Sequence, residues 1–253
     1  MILKKKIGAW CCFFTDEKFF AAFDEVRTLL ERRAGTVLGE NTESKRPRLI
    51  LKARVPSLGD APFVLKREWF FFRFDRTLKS FLSGSNARII LEAGDAAEAA
   101  GFTDFCRTFF VAERSRFGVL KETISVIEFL DGESLVSEGT LLEPDGRTGW
   151  AFPEKTREEA RDLLERSHRA GIVSGDVHPG NFFRMRDTGT LKLIDFRGRK
   201  LFSAVAEARD RVQMEFIMNI PNRRHDAGEK IFRALLAFRN LLRRLRGREL
   251  HHY

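Results

Sequence analysis

Residues Gly171 to Lys200 read GIVSGDVHPGNFFRMRDTGTLKLIDFRGRK. Within them two strand-like runs, Phe182–Arg186 and Leu191–Ile194, flank Asp187-Thr188-Gly189-Thr190, a hairpin turn by composition. Asn181 and Asp195 each stand seven residues from Thr188. Antiparallel pairing is therefore expected to set them opposite one another, about 4.5–5.5 Å apart. Asp176, five residues before Asn181, lies in the loop feeding the same open end. Two carboxylates and a carboxamide thus converge. Such oxygen donors suit a hard cation such as Mg²⁺, which takes few protein ligands and completes its shell with water and phosphate. An Asp and an Asn can hold metal against nucleotide phosphates, while a second Asp, off the metal, orients a hydroxyl and accepts its proton.

Upstream, strand signals dominate. Ile7–Phe14 reads as a first strand, and Thr36-Val37-Leu38, Leu49–Val55, Phe63-Val64-Leu65, Phe109–Ala112 and Ser125–Leu130 follow. Thr15 is placed to cap a helix with Phe19, Phe20, Phe23, Val26, Leu29 and Leu30 on one face. Asn86 to Ala100 reads as another helix. The second half is mostly helical: one helix starts at Pro153 and ends at Gly171. Another spans about Ala227 to Arg246, with Ile231, Leu235, Phe238, Leu242 and Leu245 on its expected buried side. The order predicts an α+β fold of two lobes, 1–130 and 131–253, joined near Asp131-Gly132.

The 253 residues, 43% hydrophobic and 32% charged, exclude wholesale disorder. Lys+Arg 45 against Asp+Glu 36 leaves +9, a charge that favours anionic partners; no nucleic-acid partner is expected. Cys11, Cys12 and Cys106 form neither an even framework nor a CxxC knuckle, which fits a reducing compartment. No apolar run approaches the ~18 residues of a spanning helix. Lys4-Lys5-Lys6 with Ile7–Phe14 is read as strand rather than signal peptide, since the apolar part runs straight into Thr15-Asp16-Glu17-Lys18.

Asp176-Val177-His178-Pro179-Gly180-Asn181 resembles the D-x-x-x-x-N catalytic loop of the protein-kinase-like superfamily, and Asp195-Phe196-Arg197-Gly198 an altered D-F-G. GIVSGDVHPGNFF, LKLIDFRGRKLFSAVAEARDR, FVLKREW and VIEFLDGESL together resemble the lipopolysaccharide core heptose II kinase family, over roughly residues 36 to 215. The resemblance implies a two-lobed protein-kinase-like fold, with a small, mainly antiparallel β lobe and a mainly helical lobe. It also implies ATP-dependent phosphorylation of an inner-core heptose at the cytoplasmic face of the inner membrane. Carried over by position, Lys66 would hold the α/β-phosphates of ATP, Asp176 would be the base, and Asn181 and Asp195 the Mg²⁺ ligands. Ile127-Glu128-Phe129-Leu130 would be the hinge, with Glu128 and Leu130 meeting the adenine.

Two positions depart from the pattern. No G-x-G-x-x-G precedes Lys66: the corresponding Gly39–Pro47 holds one glycine, so phosphate cradling falls to side chains such as Ser44 or Lys45. The helical acidic partner of Lys66 is open between Glu92 and Glu98. His178 is read as a brace for the loop rather than a metal ligand, and Cys11 and Cys12 as small core residues. Arg197, Arg199 and Lys200, directly after Asp195, are candidate contacts for a phosphorylated or carboxylated acceptor. Residues 221–253 carry nine Lys/Arg against three acids, and a basic helix there can lie on anionic lipid or form a wet face of the core.

Three rivals remain at this level. Gly175-Asp176-Val177-His178 is also similar to metallophosphoesterases, which need further His and Asp clusters that His225, His251 and His252 do not supply. A kinase-like binding protein without catalysis, and a kinase of Kdo or another small molecule, are the others.

Overall fold

The computed structural model describes residues 1–42, 47–70, 84–142, 149–198 and 203–245. Two compact units divide the chain: Met1–Ala99 with Cys106–Leu130, and Ala100–Phe105 with Asp131–Tyr253.

In the first unit, alternation of apolar and polar side chains makes half-buried strands. Along Arg48–Arg54, Leu49, Leu51 and Ala53 are buried while the two arginines are exposed. That strand is β4 of a seven-stranded sheet comprising β1 (Leu3–Ile7), β2 (Trp10–Phe14), β3 (Thr36–Asn41), β4, β5 (Pro62–Trp69), β6 (Thr108–Arg116) and β7 (Val119–Glu128). The order is β1-β2-β6-β7-β5-β4-β3, and every pair is antiparallel. Helices α1 (Glu17–Ala21) and α2 (Phe23–Arg32) cover one face, where Phe19, Phe23, Val26 and Leu30 join Phe14, Leu51, Leu65 and Phe110 in the core. On the opposite face α3 (Asn86–Ala99) sets Ala87 and Leu91 against Phe13 and Val111.

Two expectations change here. Of the single strand expected over Ile7–Phe14, Ile7 ends the first arm of a hairpin turned at Gly8-Ala9 and Trp10–Phe14 is the second, because the lysines before Ile7 pair with Cys11–Phe13. Asp16 rather than Thr15 caps the first helix, its carboxylate accepting from the Lys18 N–H at 3.0 Å. Cys12 is fully buried, and burial, helped by Cys11 beside it, pushes its thiol up to about 12, so it stays an inert core group.

The second unit contains β8 (Gly132–Ser134), the β9 (Thr140–Leu142)–β10 (Gly149–Ala151) pair, α4 (Glu154–Arg169) and β11 (Ile172–Val173). It continues through the hairpin β12 (Phe182–Met185)–β13 (Leu191–Leu193) to β14 (Arg197–Gly198), α5 (Ser203–Met218) and α6 (Ala227–Leu245). Neither β8, which adds a third strand beside β12, nor α5 was expected. Helix α4 follows Pro153 and buries Ala160, Leu163, Leu164 and Ser167, the face read from its periodicity.

For α6 the sequence reading fails. Ile231, Leu235 and Phe238, expected inside, are 51%, 55% and 60% exposed, and Leu241 is 53% exposed. The side chains of Leu242 and Leu245 lie outside the described residues. Contact with α5 is made by the other side. There a β-carbon on Gly228 would stand 2.5 Å from the Ala204 carbonyl, buried Glu229 anchors the first turn, and Arg233 reaches Glu215 at 3.1 Å. No described helix is long and apolar enough to cross a membrane.

One side chain fastens the β12–β13 hairpin to its surroundings. Arg184 binds Glu138 through Nε and Nη2, donates to the Gly189 carbonyl at 2.8 Å, and pairs with Glu159 at 2.8 Å. Burial disfavours the Glu138 carboxylate, but hydrogen bonds from Arg184 and Thr156, with the Arg184 charge, outweigh that and hold its pKa below the ordinary 4.5. A depressed folded pKa means stability that is present above the unfolded value and is lost as pH falls below it. Urea unfolding should therefore show a loss of stability below about pH 4.5 that is smaller in Glu138→Gln than in the parent protein.

Candidate active site

The loop between β11 and β12 is held by a carboxylate beneath it. Asp210, fully buried on α5, accepts from the Ser174 N–H at 2.7 Å and the Gly175 N–H at 2.8 Å, and its Oδ2 lies 3.1 Å from His168 Nε2. Gln213, one turn on, accepts from the Val177 N–H at 3.3 Å, and Arg209 donates to the Gly175 carbonyl. Gly175 has φ +71, a left-handed conformation that suits glycine, and the Arg197 side chain lies over it, with Cδ 3.6 Å from where a β-carbon would be. Four backbone groups of Ser174–Val177 are thus fixed by three side chains of a single helix.

Asp176 follows in this frame with its carboxylate exposed, between buried Ser174 and buried Val177. Its carbonyl accepts from Asn181 Nδ2 at 2.8 Å. Asn181 is 6% exposed, and because the bond uses its amide nitrogen, its carboxamide oxygen keeps its lone pairs for another partner. His178 caps the short turn Pro179–Asn181: its Nδ1 accepts from the Gly180 N–H at 3.1 Å, and its carbonyl accepts from the Asn181 N–H at 2.9 Å. It braces the loop, as its chemistry suggested.

The hairpin register differs by one residue from the expectation. Phe182 pairs with Leu193, and the Ile194 N–H donates to the Asn181 carbonyl at 3.0 Å, so Ile194, not Asp195, stands opposite Asn181. The cause is the turn: Met185 and Thr190 close a four-residue loop, whose centre falls between Asp187 and Thr188 rather than on Thr188. Asp195 comes one residue beyond the ladder, exposed and in the left-handed region at φ 54. Phe196 immediately afterwards is 1% exposed and packs edge-on against Phe105 at 5.0 Å, so the backbone around the strained Asp195 is pinned. Arg197 pairs with Val173 in the β11–β14 ladder, while Arg199 and Lys200 lie outside the described residues.

In the first unit, Lys66 sits on β5 between Ile50 of β4 and Ser125 of β7, partly buried. Its Nζ is 3.3 Å from Glu68, two residues along the same strand. Neither anticipated partner is paired with it: Glu92 binds Arg88 at 2.7 Å and Glu98 binds Arg107 at 2.5 Å. Glu128 ends β7, where its carboxylate accepts from the Arg107 N–H at 3.0 Å and its N–H donates to the Arg107 carbonyl at 2.8 Å. Leu130 is buried. Ser44 and Lys45 fall outside the described residues.

Among the described residues no three of His, Cys, Asp and Glu come together as a metal site, the arrangement a metallophosphoesterase would require. His225 is tied to Glu229 at 3.0 Å. What the second unit presents is an exposed Asp176 on the loop whose carbonyl takes the amide of buried Asn181, and an exposed Asp195 one residue past Ile194, the residue opposite Asn181.

Comparison with known proteins follows the same lines. The profile of the lipopolysaccharide core biosynthesis protein (WaaY) family matches residues 63–248. The chain belongs to this family. An Escherichia coli protein named lipopolysaccharide core heptose(II) kinase WaaY is 30% identical over 178 residues, covering 70% of each chain. Its namesake from Escherichia coli strain K12 is 28% identical over 176 residues, again 70% of each. The WaaY match takes in Lys66, the Asp176–Asn181 loop, Asp195 and the helix that carries Asp210.

Asp210, Gln213, Arg209 and His168 were not singled out from the sequence. The available signal was the polar run Arg209-Asp210-Arg211 between Ala208 and Val212, which are both fully buried. Asp210→Ala strips two backbone N–H groups of their acceptor and should cost roughly 3 kcal/mol of stability. Amide exchange at Ser174 and Gly175 should accelerate beyond what that global loss accounts for.

Proposed function

We propose that the chain is an ATP-dependent kinase of protein-kinase-like architecture that phosphorylates a heptose hydroxyl of the lipopolysaccharide inner core at the cytoplasmic face of the inner membrane. Family membership and the names of the two E. coli relatives support the acceptor class. The observation that carries the chemistry is the bond from the Asn181 amide to the Asp176 carbonyl. It locks a carboxamide oxygen beside a loop whose one exposed carboxylate is Asp176.

The donor set fits a hard cation. Asn181 and Asp195 offer oxygen only, and no thiol or imidazole cluster competes among the described residues. These two residues hold Mg²⁺, which when bound supplies positive charge against the phosphates of ATP. Lys66 adds to that charge, with Glu68 orienting its ammonium while Glu92 and Glu98 are bound to Arg88 and Arg107. Glu128 serves adenine through its carbonyl and Leu130 through its backbone, since the Glu128 carboxylate and N–H are both engaged by Arg107. Asp176 orients the acceptor hydroxyl and takes its proton as the new phosphorus–oxygen bond forms and the bond to the departing ADP breaks. Arg197, with Arg199 and Lys200, contacts an anionic acceptor. In this reading residues 1–130 provide the nucleotide contacts, and residues 131–253 the metal, the base and the acceptor contacts.

The direct test is transfer from ATP to heptose II-containing core oligosaccharide by the purified protein, read as one added phosphate by mass spectrometry. Asp176→Ala should lower kcat by about two to four orders of magnitude. Asp195→Ala should abolish transfer while the protein stays folded, its melting temperature lowered only by what Ala costs at a left-handed φ. ATP should raise the melting temperature more with Mg²⁺ than without it, and Asp195→Ala should lose that metal increment. Parent-like turnover in purified Asp195→Ala overturns the metal assignment. A metal-independent response of the parent protein points to a non-catalytic nucleotide binder.

A further inference from the structure

Helix α6 carries an apolar stripe that its own unit leaves open. Ile231, Leu235, Phe238 and Leu241, with Ala234 between them, are exposed. At 100° per residue they fall within an arc of about 120°, along about 15 Å of helix. A stripe of this size on a helix already packed by its opposite side is not surplus core. It is a surface built for a second apolar phase.

The charges along its edges identify that phase. Lys230 and Arg244 border the stripe on one side and Arg239 on the other, and all three are exposed. The one acid of α6, Glu229, is turned to the covered side, where it bonds Asn222, His225 and Arg233. Arg233, on that side too, is shared with Glu215. Among the described residues of α6, only cations therefore border the apolar arc. A second copy of the chain meeting this face about a two-fold axis would bring its Lys230, Arg239 and Arg244 into the same desolvated rim as those of the first, which like-charge repulsion opposes. A bilayer with anionic headgroups has the complementary layering: hydrocarbon for the stripe, phosphate for the flanking cations, whose long stems reach from one to the other.

We propose that α6 is an interfacial membrane anchor. Its Ile231–Leu235–Phe238–Leu241 face lies in the headgroup–acyl boundary of an anionic bilayer, and Lys230, Arg239 and Arg244 engage lipid phosphates at its margins. The orientation is the reverse of a basic face resting on lipid over a buried apolar side.

Flotation of the full-length protein with vesicles of phosphatidylethanolamine and phosphatidylglycerol, without lipopolysaccharide or nucleotide, tests this apart from any kinase activity. The parent protein should float with these vesicles and bind phosphatidylcholine vesicles more weakly. The double variant Leu235→Glu/Phe238→Glu should lose at least about ten-fold in partitioning. Its melting temperature should be unchanged, because the substituted side chains are exposed. Lys230→Ser/Arg239→Ser/Arg244→Ser should also weaken binding, and should remove most of its dependence on phosphatidylglycerol. The proposal is overturned if the parent protein fails to float, or if the Leu235/Phe238 variant floats equally well. It is overturned too if that variant melts lower, which would mean the face is covered, or if it turns a parent dimer into a monomer, which would make a second copy the occupant.

Discussion

A carboxylate removed from water must replace its hydration with donors held in place, and Asp210 does so with two consecutive backbone N–H groups and a buried imidazole. Each party needs the others: the amides of Ser174 and Gly175 have no strand to bond to, and the charge has no solvent. The loop bearing Asp176 is therefore shaped by a helix more than thirty residues away as well as by its own turn residues. Because Asp210 carries the burial cost, Asp176 is free to be exposed. An exposed carboxylate on a loop pinned from beneath is obtained without burying it.

Helix α5 is consequently polar where a core helix would be apolar. One side of it grips the loop through Arg209, Asp210 and Gln213. It also reaches α6 through Glu215, through the contact of Arg211 with Asp226 at 2.7 Å, and through the close approach of Gly228 to Ala204. A side chain larger than hydrogen at residue 228 would separate the two helices. Loop, α5 and α6 are thus joined by short polar contacts and one close backbone approach, and these transmit position more exactly than apolar packing alone.

Much of the strand order could be read from alternation, and the helices following Pro153 and spanning Asn86–Ala99 from their periodicity. Where the reading went wrong, the missing information was non-local or a matter of parity. Placing Asn181 against Asp195 assumed a turn centred on Thr188. A four-residue loop shifts the register by one, and with a period of two a single residue decides which group faces which. Glu68 escaped notice as the neighbour of Lys66 because attention went to helices, although residues two apart on a strand share a face. Asp210 could not be assigned because its partners, Ser174 and Gly175, are distant in sequence and contribute backbone, which leaves no trace in residue identity.

Helix α6 shows a different limit. The spacing of Ile231, Leu235 and Phe238 establishes an apolar face, but the same spacing serves a helix pressed on a core, on a second helix or on a lipid surface. What separates these is the opposite side and the margins. Here the side that packs on α5 carries Gly228 and buried Glu229 together with half-buried Phe232 and Leu236, so the helix has its own packed side and the Ile231–Leu241 stripe is a second apolar face left outward. An outward apolar stripe of this size favours aggregation in water unless an apolar phase is normally present. For a chain whose relatives are named for a lipopolysaccharide core, a glycolipid part, that phase need not be another protein. The helix that would meet it is the one α5 ties to the Asp176 loop.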